Sequence, residues 1–532
     1  MHYFDKTDRP PALRAICLAL LTLGVLGAAR AEEAAAQRYD LDEYIVRGNT
    51  VLDARAIETA LTPFLGPQRT QQDIEAARDA LLALYQAKGY QSVYVDLPAQ
   101  PVQQGLVFLQ VSETRVGRLR VTGAQYHSPL EVREQVPALA EGKVPDFNQA
   151  QLELAALNRG AKRQVAPLVR QGSVPGTMDV DLKVDDSRPW RASAGLHNDY
   201  SADTRKLRAS LSLAHDNLWQ MGHSVSLSFF GAPQDISQTK VWSASYAAPL
   251  PGSQWSLEAT AYKSDSEVAT LGGTSVLGKG HAFGLKASYT VPDTGAWWHA
   301  FSVGVDFKNN QEALRLGDTG DTVGLKYAPL TLAYNGVWQG ERGQFGLGLS
   351  AISASRSFLG YGSDWAAFDY KRYKASPSML LLKADLNGSY SFANEAQAAF
   401  RLALQASADP LVAGEQMAAG GMNSVRGYLS AESTGDYGAV ASLELRSKPL
   451  MYFSPWVDGW RVYAFTDAGH LRLNEPLPEQ HSRFTLASVG LGSVFKLGER
   501  VSGRIDFGYP LKDGARTERH KRRISFNLSA GY

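Results

Sequence analysis

The chain has 532 residues, 44% of them hydrophobic and 20% charged, with a formal net charge of +1. Beyond the N-terminal stretch no apolar run reaches the roughly 18 residues that a membrane-spanning helix needs, which excludes a helical membrane protein. The near-zero charge offers no basic field for nucleic acid, and the single cysteine, Cys17, excludes thiolate metal sites and a disulfide framework from the remainder of the chain.

The first 31 residues read as a secretory signal peptide. Lys6, Arg9 and Arg14 precede an apolar core from Ala15 to Ala28, and Ala29-Arg30-Ala31 gives the small-x-small cleavage pattern before Glu32. The other reading, a membrane anchor, suffers from a core too short to span. Cleavage removes Cys17 and leaves a net charge of about −1.

From about Tyr39 to Asp186 the pattern is α+β. Glu43 to Arg47 is strand-like and ends in the turn signal Gly48-Asn49. A helix can start at Asp53. A second, over Gln71 to Lys88, carries Ile74, Ala77, Leu81, Leu82 and Tyr85 on one face and stops at Gly89. Val93, Val95 and Leu97 then alternate, as do Val107, Leu109 and Val111. The same order recurs after Thr114: a strand at Leu119 to Gly123, helices starting near Ser128 and Asn148, and strands at Val165 to Val169 and Met178 to Val184. An internal repeat of about 75 residues follows, with the first unit at 40–114 and the second at 115–187.

From Trp190 onward strict apolar/polar alternation takes over, in segments separated by Gly, Asp, Asn, Ser and Pro. Leu207, Ala209, Leu211 and Leu213 form one such series, and Phe301, Val303, Val305 and Phe307 another, with Ser302, Gly304, Asp306 and Lys308 between them. A soluble sandwich can show this alternation too. The number of segments, the export signal and the aromatics Trp242, Tyr246, Trp255, Tyr262, Trp297 and Trp298, which suit a membrane-water girdle, point instead to a transmembrane β-barrel over 190–532. At roughly 20 residues per strand with its share of loop, that length predicts about 16 strands. Ile524, Phe526, Leu528, Ala530 and Tyr532 alternate to the final aromatic residue, which resembles the C-terminal signal recognised when outer-membrane barrels are inserted.

Catalytic constellations are missing from the sequence. There is no His-Glu-x-x-His pair and no Gly-x-Ser-x-Gly elbow, so neither an enzyme nor a metal or cofactor site is expected. Two stretches do stand out: Gly420-Gly421-Met422-Asn423-Ser424-Val425-Arg426-Gly427-Tyr428, and Phe465-Thr466-Asp467-Ala468-Gly469. With the paired repeats, the barrel and the aromatic C-terminus, they resemble the two-partner secretion (type Vb) transporters, the TpsB family of haemolysin and filamentous-adhesin exporters. The resemblance makes the two repeats POTRA domains. It places Val425-Arg426-Gly427-Tyr428 on a loop, near 420–435, that folds back into the barrel. Phe465, Asp467 and Gly469 become its partners on a strand, with Gly435-Asp436-Tyr437-Gly438 a further family-like feature.

The residues support the pairing only in part by themselves. Phe465, Asp467 and Gly469 share one strand face, and a carboxylate facing lipid is costly, so that face is the lumen. Arg426 can reach Asp467 as a bidentate pair contributing about 1.5 to 3 kcal/mol, less where water fills the lumen. Equally, Arg426 can be a solvated loop residue and Asp467 a generic lumen acid; the resemblance favours the pair.

The function implied is secretion: POTRA domains in the periplasm recognise an unfolded TpsA-like exoprotein, which crosses the barrel to the cell surface. Strand addition to open sheet edges would suit such recognition. Outer-membrane lipid, lipopolysaccharide and the barrel-assembly machinery are the other expected partners. A barrel-assembly factor of the same superfamily and a passive porin are the alternatives. Only about eight residues separate the cleavage site from the first repeat, too few for a plug helix, so the channel is expected to leak more than plugged relatives.

Overall fold

The computed structural model describes residues 38–158, 163–265, 270–272, 275–277, 279–292, 295–311, 314–316, 319–321, 323–450, 457–498 and 500–532. The predicted signal peptide lies outside them. The chain divides into two compact units, Met1–Ala124 with Pro129–Asp186, and Gln125–Ser128 with Ser187–Tyr532.

The first unit contains the repeat. Strands Glu43–Arg47, Val93–Asp96 and Leu106–Glu113 form a sheet in which the last strand is central, parallel to the first and antiparallel to the second. Helices Ala54–Leu61 and Gln71–Ala87 cover it. The longer helix starts at Thr70, whose hydroxyl accepts from the Asp73 N–H while the Asp73 carboxylate accepts from the Thr70 N–H, a capping box that satisfies two donors the helix cannot. Its Ile74, Ala77, Leu81 and Tyr85 are buried, as the periodicity predicts. A ribbon of Tyr39–Leu41 with Gly66–Arg69 is an addition that the sequence reading missed.

Strands Arg115–Thr122, Arg163–Gln171 and Thr177–Asp186 repeat that topology, with the last strand again central. Helices Pro129–Glu134 and Phe147–Leu157 accompany them. The repeats are fastened together: Val144 joins the first repeat's core, and the Phe147 N–H donates to the Gly89 carbonyl at 2.9 Å. Gly89 has φ +91, and a Cβ there would sit 2.1 Å from the Asp146 carboxylate, so the position needs glycine twice over.

The second unit is a closed antiparallel barrel of sixteen strands, counting Leu325–Tyr327 and Leu330–Gln339 as one interrupted strand because both pair with Trp297–Asn310. It closes where Arg523–Gly531 pairs with Trp190–His197, from Asn527 opposite His197 to Gly531 opposite Ser193. The fold class is therefore the expected one.

Large apolar side chains such as Leu211, Leu257, Phe301, Leu382, Leu443, Leu491 and Phe507 are exposed on the outer face, where lipid replaces a core. The same face carries Ile524, Leu528, Ala530 and Tyr532, with Phe526 half-buried. Four of the six girdle aromatics also lie outward: Trp242 packs on Phe229, Tyr246 pairs with Val225, Trp255 packs on Tyr289 and Trp297 stacks near Phe345. Tyr262 and Trp298 are corrections. Tyr262 shares its strand face with Glu258, which bridges Lys286 across the lumen side, and Trp298 alternates with the outward Trp297. Aromatic character near a strand end does not fix the face; register does.

Short turns join strands at the end where Trp190 begins, as at 219–222 and 340–342, and long connections join them at the other, as at 355–378 and 408–436. This is the outer-membrane pattern of short periplasmic turns and longer extracellular loops.

Candidate functional site: an arginine-tethered loop inside the barrel

The connection 408–436 carries the first sequence motif, between strands Gln397–Ser407 and Tyr437–Arg446. A short ribbon, Met417–Ala419 with Ser433–Gly435, narrows it into a hairpin-like tongue. Gly420, Gly421 and Gly427 take φ of +107, +105 and +90, which lets the tongue reverse at its tip.

The four motif residues Val425 to Tyr428 are all buried. Val425, Arg426 and Tyr428 are 0%, 2% and 1% exposed. The Arg426 guanidinium forms a fork on Asp467, with Nε to Oδ2 at 2.7 Å and a terminal nitrogen to Oδ1 at 2.6 Å; its backbone N–H donates to the same carboxylate at 3.0 Å. The remaining terminal nitrogen donates to Glu444, and the one on Asp467 Oδ1 also donates to the Ser442 hydroxyl at 2.9 Å. Its plane lies 3.6 Å above the Phe465 ring centroid.

The spacing Phe465-x-Asp467-x-Gly469 thus becomes three successive lumen positions of strand Val457–Arg472 serving one loop. Phe465 stacks under the guanidinium, Asp467 holds it, and Gly469 leaves room beside it, since a Cβ there would come within 3.1 Å of Val425. Phe465 in turn needs Gly490, its cross-strand partner, where a Cβ would collide with the ring at 2.3 Å. Next across comes Gly508, where a Cβ would lie 2.6 Å from the Gly427 backbone. Backbone meets backbone at that point, so the motif glycine is a close-approach residue as well as a turn residue. The Tyr428 hydroxyl lies 2.9 Å from the Ala487 carbonyl and 2.8 Å from the Lys512 carbonyl.

Electrostatically the site is a cluster. Arg446 pairs with Glu444, and Arg504 pairs with Asp506 at 2.8 Å and with Glu444 at 3.5 Å. Asp506 also lies 3.8 Å from Arg426 and accepts from the Tyr463 hydroxyl. Arg426, Arg446 and Arg504 face Glu444, Asp467 and Asp506, so the charges of the cluster balance and each carboxylate has a cation. Sequence reasoning found only Arg426 and Asp467. Ser442 and Glu444 left a signal, as the polar positions alternating with Ala441, Leu443 and Leu445; Asp506 and Arg504 left none beyond ordinary strand alternation.

Further acids hold the rest of the connection. Asp436, in the family-like stretch Gly435-Asp436-Tyr437-Gly438, accepts from the backbone N–H groups of Leu411 at 3.0 Å and Asn474 at 2.7 Å, and from Gln416 at 2.9 Å. Glu432 accepts from the N–H groups of Arg516 and Thr517. Glu415 binds Lys308 at 2.6 Å and the Tyr327 hydroxyl at 2.8 Å. The arrangement fixes a loop in a lumen, and Asp467 takes its cation from that loop.

A closed outer-membrane barrel with an interior loop and tandem N-terminal repeats defines an outer-membrane transporter with periplasmic POTRA domains. The chain belongs to the haemolysin secretion/activation protein ShlB/FhaC/HecB family, whose model matches residues 176–495, and a ShlB-type POTRA domain model matches residues 39–114. The outer membrane transporter CdiB of Escherichia coli is 23% identical over 500 residues, covering 89% of this chain and 79% of that protein. CdiB-2 of Burkholderia pseudomallei (strain 1026b), also an outer membrane transporter, is 24% identical over 210 residues, 38% of this chain and only 33% of its own length. Among solved structures, CdiB from Escherichia coli superposes with a TM-score of 0.65 at 19% identity, covering 96% of this chain and 93% of that one, a likeness of fold.

Proposed function

We propose that this protein secretes a TpsA-like exoprotein: the POTRA repeats bind the unfolded passenger in the periplasm, and the passenger crosses the barrel once the loop 408–436 shifts from its docked place. The single observation that carries this reading is the loop itself, held in the lumen by one arginine on a neutral six-residue charge cluster. A passive porin has no use for two folded repeats in front of its pore. Folding of the passenger outside supplies the driving force, so neither nucleotide nor cofactor takes part, and no catalytic step is assigned to the chain.

Recognition by strand addition finds support in one sheet edge. Strand Arg163–Gln171 pairs on one side only, and its Leu168 and Val169 are exposed. Asn158 caps the N–H and C=O of Val165 on the open side, and Pro167 has no N–H to give, so Val169 supplies an outward donor midway along the edge. Outward Ile524, Phe526, Leu528, Ala530 and Tyr532 are assigned to recognition by the barrel-assembly machinery.

Comparing surface and released proteins of cells with and without this gene tests the reading. Loss of one large β-rich protein from the surface is expected. A general loss of unrelated outer-membrane barrels would instead indicate an assembly factor, and loss of small-solute uptake alone a porin.

A further inference from the structure

At one place on the outer wall two like charges face each other. Arg472 and Arg483 stand directly opposite each other on neighbouring strands. Both fall on the lipid-facing side, in phase with Val462 on one strand and with Val489 and Leu491 on the next, all three exposed. Like charges directly opposite each other destabilise a strand pair, and among the described residues neither arginine has an ion-pair partner. By contrast, Lys240, on another outward rim, is bridged to Asp265 at 3.6 Å.

The pair is also oriented. Arg472 donates through Nε to His470 Nε2 at 3.1 Å, and His470 Nδ1 lies 2.9 Å from the Thr485 hydroxyl. That contact uses the inner nitrogen and leaves the two terminal nitrogens of the guanidinium free to fork onto an anion. Below the arginines the wall is lined by Ala441, Ala468 and Ala487, which pair in one row and leave a shallow, small-residue surface.

Depth identifies the anion. Trp460, outward on the same strand and bonded to Ser493 at 2.8 Å, marks the periplasmic interface. Arg472 lies twelve residues further on. At about 3.4 Å per residue and a tilt of about 40°, that is about 30 Å along the membrane normal, just beyond an apolar band about 25 Å tall. The arginines therefore stand at the headgroup level of the outer leaflet, with acyl-chain surface directly beneath.

We propose that Arg472 and Arg483 form a binding site for the phosphate of an outer-leaflet glycolipid, lipopolysaccharide, whose acyl chains lie along the Ala441-Ala468-Ala487 row. The proposal rests on the outer-membrane location of the barrel and not on secretion, so the two can fail separately.

The test uses the purified full-length chain in detergent, probed by native mass spectrometry with bisphosphorylated lipid A. The double variant R472Q/R483Q is expected to bind at least tenfold more weakly, while K326Q, a base on a different stretch of the long-loop rim, binds as the parent does. Lipid A stripped of its phosphates is expected to bind the parent as weakly as intact lipid A binds the double variant. Heat-modifiable migration on gels checks that each barrel is folded, and a misfolded double variant is replaced by R483Q alone, for which weaker binding is again expected. Equal binding by parent and variants, or equal binding of dephosphorylated lipid, overturns the proposal. So does binding of inorganic pyrophosphate as tight as that of lipid A, which would make this a free-anion site.

Discussion

Replacing Arg426 by alanine removes the fork on Asp467, the bonds to Glu444 and Ser442, and the stack on Phe465 in one step. What remains is Asp467, its side chain 0% exposed, with the residue 426 backbone N–H as its surviving loop donor. The cluster changes from three cations against three anions to two against three. Glu444 and Asp506 keep Arg446 and Arg504, so the uncompensated charge falls on Asp467. Removing one partner of a buried pair costs about 3 to 5 kcal/mol, which lowers the docked-to-released ratio of the loop by roughly two to three and a half powers of ten. This exceeds the about 1.5 to 3 kcal/mol expected for a single exposed-lumen pair, because burial and the three additional contacts were not legible in the spacing. A thiol introduced at position 425 reads the outcome: Val425 is fully buried, and Cys17 is the chain's sole cysteine. In V425C the thiol is expected to resist a membrane-impermeant maleimide, and in V425C/R426A to react readily, with secretion reduced and the heat-modifiable barrel still present at normal levels. Arg426→Lys should fall between, keeping the charge and losing the fork. A thiol that stays protected in the double variant, or unchanged secretion at normal protein levels, would refute the reasoning.

Gly508→Ala places a methyl 2.6 Å from the Gly427 backbone; overpacking of that kind costs about 1 to 3 kcal/mol, so in V425C/G508A the introduced thiol should become reactive even with Arg426 intact. Val169→Pro deletes an outward donor of the edge Arg163–Gln171 and is expected to lower passenger binding to the full-length protein severalfold, measured by pull-down of the denatured passenger, with little change in the thermal transition of the repeats. Two carboxylates of the repeats are held below the usual range: Asp73 chiefly by the backbone N–H of Thr70, and Glu141 chiefly by the backbone N–H of Leu119. Depressed acids contribute stability that is fully present above their unfolded values and lost as pH falls through the folded ones. The repeats of the full-length chain should therefore unfold at lower temperature as pH drops below about 4.5, and Thr70→Ala should flatten part of that dependence while costing about 1 kcal/mol as a lost cap.

Much of the architecture was legible because periodicity is a local property. The helix Gln71–Ala87 shows its buried face as Ile74, Ala77, Leu81 and Tyr85, and the barrel strands show theirs by two-residue alternation, so element type and strand number followed from counting. The ribbon Tyr39–Leu41 with Gly66–Arg69 left no such trace, since three or four residues are too few for a period to register. Tyr262 and Trp298 were placed on the wrong face for a related reason: composition near a strand end was used where only phase decides.

The sequence by itself determined that the barrel has a greasy outside and a polar inside, that Asp467 belongs to the polar side, and that the tip of the loop is rich in glycine. Only the tertiary structure decided which groups surround Arg426. Glu444, Gly490, and the pair Asp506 and Gly508 come from three different strands, brought into adjoining rows by the register of the closed sheet. Register is a relation between strands distant in sequence, set when the barrel closes, and no single segment encodes it.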